Sequence, residues 1–554
     1  MARNHERSEL FELRSRDIVS ELLAQLRRVR PALTLVQGDR ECAAEIAPAP
    51  AGGSDLTLAA LAPGFVHGAV AALRFRLHDA PFRVEGTLGR LETGRWRLGA
   101  VRVFSLDQRA AHRLALSGDD AVLRWSELAD GDVRQGAATV DELGAEGIGF
   151  SVAPETLRSR DGSPFAATLE IDGRRIPCLA EPRYRRDTPT LTRVGVRLHT
   201  RAARGELVDA YLRRRFPQLL PRREAGAGDV VDLLDRSGYL ALRPDMQPER
   251  RWFERSDDDD ISRDVCFRAG DGALIGHVSF TRAYPRAWLG HQLATLRHHA
   301  EATACRRSIY LHIATYPTLV DGDQAMMVGY YDRARPWHQR FFSGFVEWLS
   351  APELAVAYGL DRFERNTRAP APMLPRTAAV DVHAPAGDEL VQAAALVRGQ
   401  LPPLIAEVLD IHPERLISSQ LNGHYEATRY ERGRHVLVLR ERGEFVGVAL
   451  CEIGSRELSI FNLFNMAQIF VATGRSRPSI AAQLQLLSAV RALYAARGEH
   501  NPMIVAPPGT VDAAMEPGTF LAETMGMIAW SGRALRQYEN FINYQFGAQL
   551  SAIG

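Results

Sequence analysis

The sequence predicts a multidomain protein with an all-β N-terminal half followed by two α/β modules. Three observations favour this fold class. The chain has 554 residues, which is more than the roughly 250–300 residues at which a single hydrophobic core stops growing. Short segments with alternating apolar residues dominate the N-terminal half, as in half-buried antiparallel strands. Helix-like and strand-like segments alternate in the C-terminal half, which is typical of α/β folds.

The N-terminal block begins with a charged, helix-like segment within Met1–Arg30, which lacks the apolar core of a signal peptide. Strand-like segments with turns between them follow. They are Leu56–Leu58, Ala71–Leu77, Phe82–Leu88 and Arg95–Val103. Their stepwise alternation predicts antiparallel strands with one face buried.

Composition excludes several classes of function. With 46% hydrophobic and 24% charged residues, the chain is typical of globular proteins. The 68 basic residues nearly balance the 67 acidic ones, so we expect no overall field that attracts DNA or an anionic membrane. Every basic residue is arginine. Chemistries that depend on a Schiff-base lysine or a P-loop lysine are therefore excluded.

The remaining patterns indicate a reduced, metal-free protein. The five cysteines are widely spaced and include no Cys-x-x-Cys pair, and no apolar run approaches the roughly 20 residues of a membrane span. We therefore expect a cytoplasmic protein without an integral membrane segment. Neither the Asp257–Asp260 run nor His291, His298 and His299 have the spacing of a metal site, so no metal is predicted.

Two arginines four residues apart, Arg109 and Arg113, suggest a site for a compact anionic nucleotide. Each guanidinium presents a planar fork of donors that suits a phosphate or the O6/N7 edge of guanine. Glu142, Gly144 and Gly147 follow in a turn ahead of an apolar strand. Small residues there can bring backbone N–H groups close to the same ligand.

Together these segments resemble the PilZ domain, which binds cyclic di-GMP through Arg-x-x-x-Arg followed by Asp/Asn-x-Ser-x-x-Gly. Glu142 takes the Asp/Asn slot, Gly144 the Ser slot and Gly147 the glycine slot. The resemblance implies a PilZ-like β-barrel over residues 105–222 and cyclic di-GMP as a regulatory ligand. By position alone, residues 1–104 resemble the helix and split barrel that precede PilZ in YcgR-like proteins.

The two α/β modules are predicted at residues 229–368 and 377–554, with linkers at 221–228 and 368–376. In the second module a strand (Met466–Val471), a helix (Ser479–Arg497), a strand (Met503–Val505) and a helix near Thr519–Met525 follow one another. The first three resemble the acyl-CoA-binding half of GNAT-type N-acyltransferases. The resemblance implies a pyrophosphate site at the helix N-terminus. Its residues would be Gly474, Arg475, Arg477 and Ser479.

Hairpin-like segments have comparable places in the two modules, so we expect tandem GNAT-like folds. They are Gly272–Phe280 in the first module, and Val436–Leu439 with Val446–Cys451 in the second. The candidate acids and bases of the first module for an amine nucleophile are His298, Glu301 and Tyr331. Two functions stay open from the sequence. In one, a PilZ-like receptor domain regulates GNAT-like modules that use acyl-CoA. In the other, the chain is a non-catalytic receptor whose C-terminal modules bind a protein partner in a motility, secretion or exopolysaccharide apparatus.

Overall fold

The computed structural model is strand-rich and has several domains. It describes residues 10–242, 261–365, 379–417 and 425–553, apart from short gaps at 48–54, 60, 62, 79, 107–112, 118–119, 130–131, 145–146, 155, 158–162, 200, 427, 460, 500–501 and 512–518. The described residues form two compact units, of which one consists mainly of Leu106–Leu220. No helix in the described ranges combines the length and apolar character needed to cross a membrane.

The N-terminal sheet has seven strands, and its helix α1 spans Arg16–Val29. The strands are β1 Leu10–Leu13, β2 Leu33–Gln37, β3 Arg40–Ala44, β4 Leu56–Leu58, β5 Val70–Leu77, β6 Ala80–Arg90 and β7 Trp96–Leu106. Their order is β1-β7-β6-β5-β2-β3, and β4 pairs with β7. Buried and less buried residues alternate along β6, so the predicted half-buried antiparallel strands are confirmed.

The second sheet contains a closed six-stranded antiparallel barrel. Its strands are β8 Arg113–Ala115, β9 Ala121–Ala129, β10 Asp132–Gly144, β11 Gly147–Val152, β12 Phe165–Ile171, β13 Arg174–Asp187 and β14 Thr192–His199. The ring runs β11-β14-β13-β12-β9-β10 and closes because β10 also pairs with β11, while β8 pairs with β10 outside the ring. Leu123, Leu143, Phe150 and Leu169 are completely buried. Helix α2, Arg201–Arg215, follows the barrel.

The third sheet has twelve strands, in the order β15-β16-β17-β18-β19-β26-β20-β25-β24-β23-β22-β21. These are β15 Leu219–Pro221, β16 Ser262–Arg268, β17 Leu274–Tyr284, β18 Ala287–Thr295, β19 Met326–Asp332, β20 Ala355–Arg365, β21 Val380–His383, β22 Arg432–Glu441, β23 Glu444–Gly454, β24 Met466–Val471, β25 Met503–Ala506 and β26 Thr519–Ser531. The sheet therefore contains both ranges predicted to be α/β.

Helices flank this sheet. They are α3 Arg222–Ala225, α4 Ala227–Arg236, α5 Ala302–Asp321, α6 Pro336–His338, α7 Gly344–Leu349, α8 Glu389–Gln400, α9 Pro403–Val408, α10 Ile480–Ala495 and α11 Gly532–Ile553. A π-helical turn, Gln339–Ser343, joins α6 to α7. The residues predicted as a linker at 221–228 thus lie mostly in α3 and α4, while the predicted linker at 368–376 lies outside the described residues.

The same succession occurs twice in the large sheet. Three antiparallel strands, β16–β18, lead through α5 to β19, which is parallel to β18. Likewise β22–β24 lead through α10 to β25, which is parallel to β24. We call these two halves the first and second modules. The hairpins predicted around Gly272–Phe280 and Val436–Cys451 are confirmed.

The two modules exchange strands at the centre of the sheet. The late strand β26 pairs with β19 of the first module and with β20, while β20 in turn pairs with β25 of the second. The helix predicted near Thr519–Met525 is therefore wrong, because that segment lies in β26. Pairing on both edges stabilises an extended backbone more than local helix propensity favours a helix.

Candidate functional site

The register of the barrel gathers four of the five residues predicted to bind a nucleotide on one outer face. Residues directly opposite one another in an antiparallel pair point to the same side of a sheet. Glu142 lies opposite Gly149, and Gly149 lies opposite Gly195 of β14. Because Leu143, Ile148 and Phe150 are buried, their neighbours Glu142 and Gly149 face outward.

The neighbouring row of the same face contains the other predicted ligand residues. Arg113 lies opposite Gly144, and Gly147 lies opposite Arg197. Arg113 is described by its backbone alone, and Arg109 lies outside the described residues. The strand register thus brings Arg113, Glu142, Gly144 and Gly147 into two adjacent rows.

A β-bulge places a second carboxylate, that of Asp141, beside Glu142. The pairing of β10 with β11 shifts between Val140 and Glu142, so Asp141 is the extra residue. Its carboxylate accepts a hydrogen bond from the Ser151 hydroxyl at 2.5 Å. Two carboxylates therefore lie on the outer face, with Asp141 hydrogen-bonded to Ser151 and Glu142 paired with Arg193.

Tyr184 and Arg193, which were not predicted from the sequence, complete the face. Tyr184 lies opposite Gly195, in the same row as Glu142. Arg193 forms an ion pair with Glu142, and that carboxylate raises the pKa of the Arg193 guanidinium. The sequence contains one signal for such a surface, which is Gly195 within an apolar strand. Glycine at such a position often marks a close approach of another group.

A second candidate site lies where β18 and β19 diverge in the first module. Their parallel pairing covers three positions and ends at Leu289 and Val328. The next residue in each strand is glycine. A Cβ on Gly290 would lie 2.5 Å from Met327 Cε, and one on Gly329 would lie 3.1 Å from Ile528 Cγ1. Met327 and Ile528 therefore pack directly against these glycines at the point where the strands separate.

A cavity of about 200 Å³ occupies this divergence. Its lining is mainly apolar and comes from both modules, including Ile313, Met327, Phe461, Met525 and Ile528. An engineered cavity of about 150 Å³ is enough to hold a benzene molecule. The cavity is therefore large enough for a small apolar group of a ligand.

Polar groups line the same cavity. The Tyr331 hydroxyl lies 2.7 Å from Ser343 Oγ, and the His338 ring stands edge-on to Tyr331 at a centroid distance of 6.3 Å. Burial and the nearby Arg335 lower the pKa of His338, although Asp332 opposes the shift. His338 is therefore neutral at physiological pH and able to accept a proton.

The other two predicted catalytic residues lie away from the described cavity lining. His298 is exposed in the turn before α5. Glu301 accepts a hydrogen bond from the Gly270 N–H at 2.8 Å. Tyr331 is the member of the predicted set that lines the cavity. His338 was not among the residues predicted from the sequence.

At the cavity, the backbone of β18 contains a bulge. Gln292 has a positive φ of 53°, and its N–H donates to the Tyr239 hydroxyl at 3.0 Å. Burial raises the pKa of Tyr239, so this hydroxyl stays protonated. A ligand carbonyl that needs the Gln292 N–H must therefore displace Tyr239.

In the second module, the protein's own side chains occupy the positions that correspond to the cavity of the first module. Pairing of β24 with β25 ends at Gln468 and Val505. Beyond that point the Gln400 amide donates to the Val471 carbonyl at 2.7 Å. An amide side chain therefore takes the backbone acceptor that a ligand in this divergence would need.

At the predicted pyrophosphate position, another side chain of the protein, Glu441, occupies the N-terminus of α10. Ser479 is the N-cap of α10 and accepts from the Ala482 N–H. Glu441 accepts from the Ser479 N–H at 2.9 Å and from its hydroxyl at 2.5 Å. These two bonds lower the pKa of Glu441. The preceding turn contains Gly474, Arg475 and Arg477, which are exposed. They precede the N-terminus of α10, where the Glu441 carboxylate is already bound.

Within the described ranges, no three or more His, Cys, Asp or Glu side chains are grouped so as to hold a metal ion.

Comparison with known proteins gives structural similarities alone. No protein-family model and no curated protein sequence matches the chain. The K. pneumonia MrkH–c-di-GMP complex is 9% identical, covers 37% of this chain and 97% of its own, and has a TM-score of 0.27. Escherichia coli YcgR in complex with c-di-GMP is 14% identical, covers 37% and 92%, and has a TM-score of 0.24.

A tandem GNAT protein from the clavulanic acid biosynthesis pathway is 14% identical, covers 57% of this chain and 98% of its own, and has a TM-score of 0.30. At these identities and TM-scores the similarities concern the fold alone.

Proposed function

We propose that this chain is a cytoplasmic cyclic di-GMP receptor whose barrel controls an acyl-CoA-dependent acyltransferase site in the first module. The observation that supports the receptor best is the register that gathers Arg113, Glu142, Gly144 and Gly147 on one outer face. Arg113 matches a phosphate or the O6/N7 edge of guanine, and the Glu142 carboxylate matches guanine N–H groups. Arg109 is proposed to complete the arginine pair.

Calorimetry with cyclic di-GMP tests the receptor. Loss of one charge-assisted contact costs roughly 1.5–3 kcal/mol, so Arg113→Ala and Arg109→Ala should each weaken binding about tenfold to a hundredfold. Arg175→Ala is the matched control. Arg175 is also a barrel arginine, it pairs with Glu170 at 3.0 Å, and its side chain is 80% exposed. Arg175→Ala should bind as the unaltered chain does. If Arg109→Ala and Arg113→Ala also bind as the unaltered chain does, the assignment of this face is wrong.

The acyltransferase half of the proposal rests on the divergence of β18 and β19 around the cavity. A thioester-bearing arm is proposed to lie in the cavity between the two strands, whose lining includes Gly290 and Gly329. Neutral His338 would take a proton from the acceptor amine as the new C–N bond forms and the C–S bond breaks. Tyr331 would donate a proton to the departing thiolate. Both groups line the cavity.

In this proposal the second module has a structural role, because Gln400 and Glu441 occupy the positions that a cofactor would use. The same observation supports the alternative of a non-catalytic receptor and scaffold. Calorimetry with acetyl-CoA and longer acyl-CoAs distinguishes the two. Binding that is lost in Gly329→Leu supports the acyltransferase. If the unaltered chain binds none of them, the scaffold function stands instead, with a protein partner in place of the acyl acceptor.

A further inference from the structure

The outer face of the barrel has a floor made of two neighbouring glycines, and the ring of Tyr184 lies on it. A Cβ placed on Gly195 would be 2.0 Å from Tyr184 Cε1 and 2.5 Å from Cδ1. A Cβ on Gly149 would be 3.4 Å from the Tyr184 hydroxyl oxygen. The ring therefore rests directly on the backbone of β14 and reaches toward β11. No other residue type would allow this contact at Gly195.

Charged side chains hold the ring there. Arg193 forms an ion pair with Glu142 and also donates a hydrogen bond to the Tyr184 hydroxyl. Glu142 approaches the same floor, since its Oε2 would be 3.2 Å from a Cβ on Gly149. A flat aromatic ring is thus enclosed by a bare backbone below, a carboxylate at one edge and a guanidinium at its polar end.

These surroundings match the needs of a guanine base. A purine requires a flat, open floor for its ring. The Glu142 carboxylate can accept from the base's N–H groups, and the Arg193 fork can donate to O6 and N7. We infer that the Gly149–Gly195 floor is the seat of one guanine of cyclic di-GMP, and that Tyr184 occupies this seat until the ligand displaces it. The inference rests on the proposed receptor function and adds to it an internal competitor.

The position of Tyr184 allows its ring to move away from Gly149 and Gly195. It is half-buried, and the pairing of β13 with β14 shifts between Pro182 and Tyr184. Side chains beside such a β-bulge are held by less regular pairing than those within a ladder. When a side chain occupies the seat, the apparent affinity for the ligand falls in proportion to the fraction of molecules with an empty seat. Removal of the ring should therefore strengthen binding.

The test is calorimetry of cyclic di-GMP with the full chain and three variants. Tyr184→Ala should bind about threefold to tenfold more tightly, because the competing ring is gone. Tyr184→Phe keeps the ring but loses the bond from Arg193, so its gain should be smaller. Leu179→Ala is the control. It lies on the same strand, and Leu179 is 48% exposed, so its affinity should be unchanged.

Each outcome decides the inference. Weaker binding by Tyr184→Ala would mean that the ring stacks on the ligand, and equal binding would mean that the ring lies outside the seat. Either result overturns the inference and leaves the receptor function intact. If the unaltered chain and Tyr184→Ala both fail to bind, the receptor function fails as well. Binding by Tyr184→Ala alone would support the inference most strongly.

A second measurement does not depend on the folding of the alanine variant. With selectively labelled tyrosine, the NMR resonance of the Tyr184 ring is assigned by its loss in Tyr184→Phe. Saturating cyclic di-GMP should move this resonance toward the position of a solvent-exposed tyrosine. A resonance that stays in place while the ligand binds would contradict displacement.

Discussion

Glu452 offers the sharpest test of what holds the two modules together around the cavity between β18 and β19. Its carboxylate is 1% exposed and pairs with Arg434 Nε at 2.7 Å and Arg432 Nη1 at 2.8 Å. It also accepts from the hydroxyl of Tyr284, which belongs to the first module, at 3.1 Å. Arg432 in turn donates to the Ala283 carbonyl. This buried cluster therefore connects β17 with β22 and β23.

Replacing Glu452 by Gln keeps the shape and removes the charge, which leaves two buried guanidinium groups without a counter-charge. Breaking a buried ion pair in this way costs about 3–5 kcal/mol. We expect the urea midpoint of the compact unit that contains the two modules to fall by about 1 M or more. Trp288 and Trp530 are completely buried in that unit, so their fluorescence reports its unfolding.

The pH dependence follows from the same cluster. Although burial opposes it, the two arginines lower the pKa of Glu452. Its stabilising contribution is therefore complete above the ordinary pKa of a carboxylate and is lost as the pH falls below it. The deficit of Glu452→Gln should shrink in acid.

The matched control is Glu407→Gln, which breaks an exposed pair with Arg286 at 3.5 Å and should change the stability by about 1 kcal/mol or less. A Glu452→Gln variant as stable as this control would refute the reasoning.

Three further predictions concern the modules. Gly329→Leu should abolish acyl-CoA binding, measured by calorimetry, and leave the thermal unfolding of the barrel unchanged, because its side chain fills the cleft. Glu441→Ala should destabilise the second module by about 0.3–1 kcal/mol through loss of the anion at the N-terminus of α10. That difference should disappear as the pH falls, since Ser479 lowers the pKa of Glu441. His338→Gln should slow acyl transfer by about 10²–10⁴-fold, and the unaltered chain should stay active below the ordinary pKa of histidine, since burial lowers the pKa of His338.

Local sequence patterns were sufficient for the elements whose partners are close in the chain. The strand Met466–Val471 was predicted with the bounds that it has, and the helix predicted at Ser479–Arg497 spans Ile480–Ala495. Strand β26 was missed because its partners, β19 and β20, are far away in sequence. Strand exchange between modules leaves no local pattern.

The same distinction applies to the candidate sites. Arg113 and Glu142 could be associated through a family motif, whereas Tyr184 and Arg193 join them through the pairing of β13 with β14. The pyrophosphate site was predicted around Gly474, where a glycine and two arginines precede a helix. Whether such a helix end is open depends on a distant side chain, and here that side chain is Glu441. Gly290 and Gly329, which lie inside apolar strands, are a better sequence signal for the cavity than the turn at Gly474 is.

The central claim is that ligand binding at the barrel controls the acyl-CoA site, and a reciprocal affinity measurement tests it most directly. The affinity for cyclic di-GMP is measured by calorimetry with and without saturating acyl-CoA. A coupling of about 1–3 kcal/mol predicts a change of about 5-fold to 150-fold, and acyl-CoA affinity must change by the same factor when cyclic di-GMP is saturating. Identical affinities in the presence and absence of the other ligand would contradict the claim.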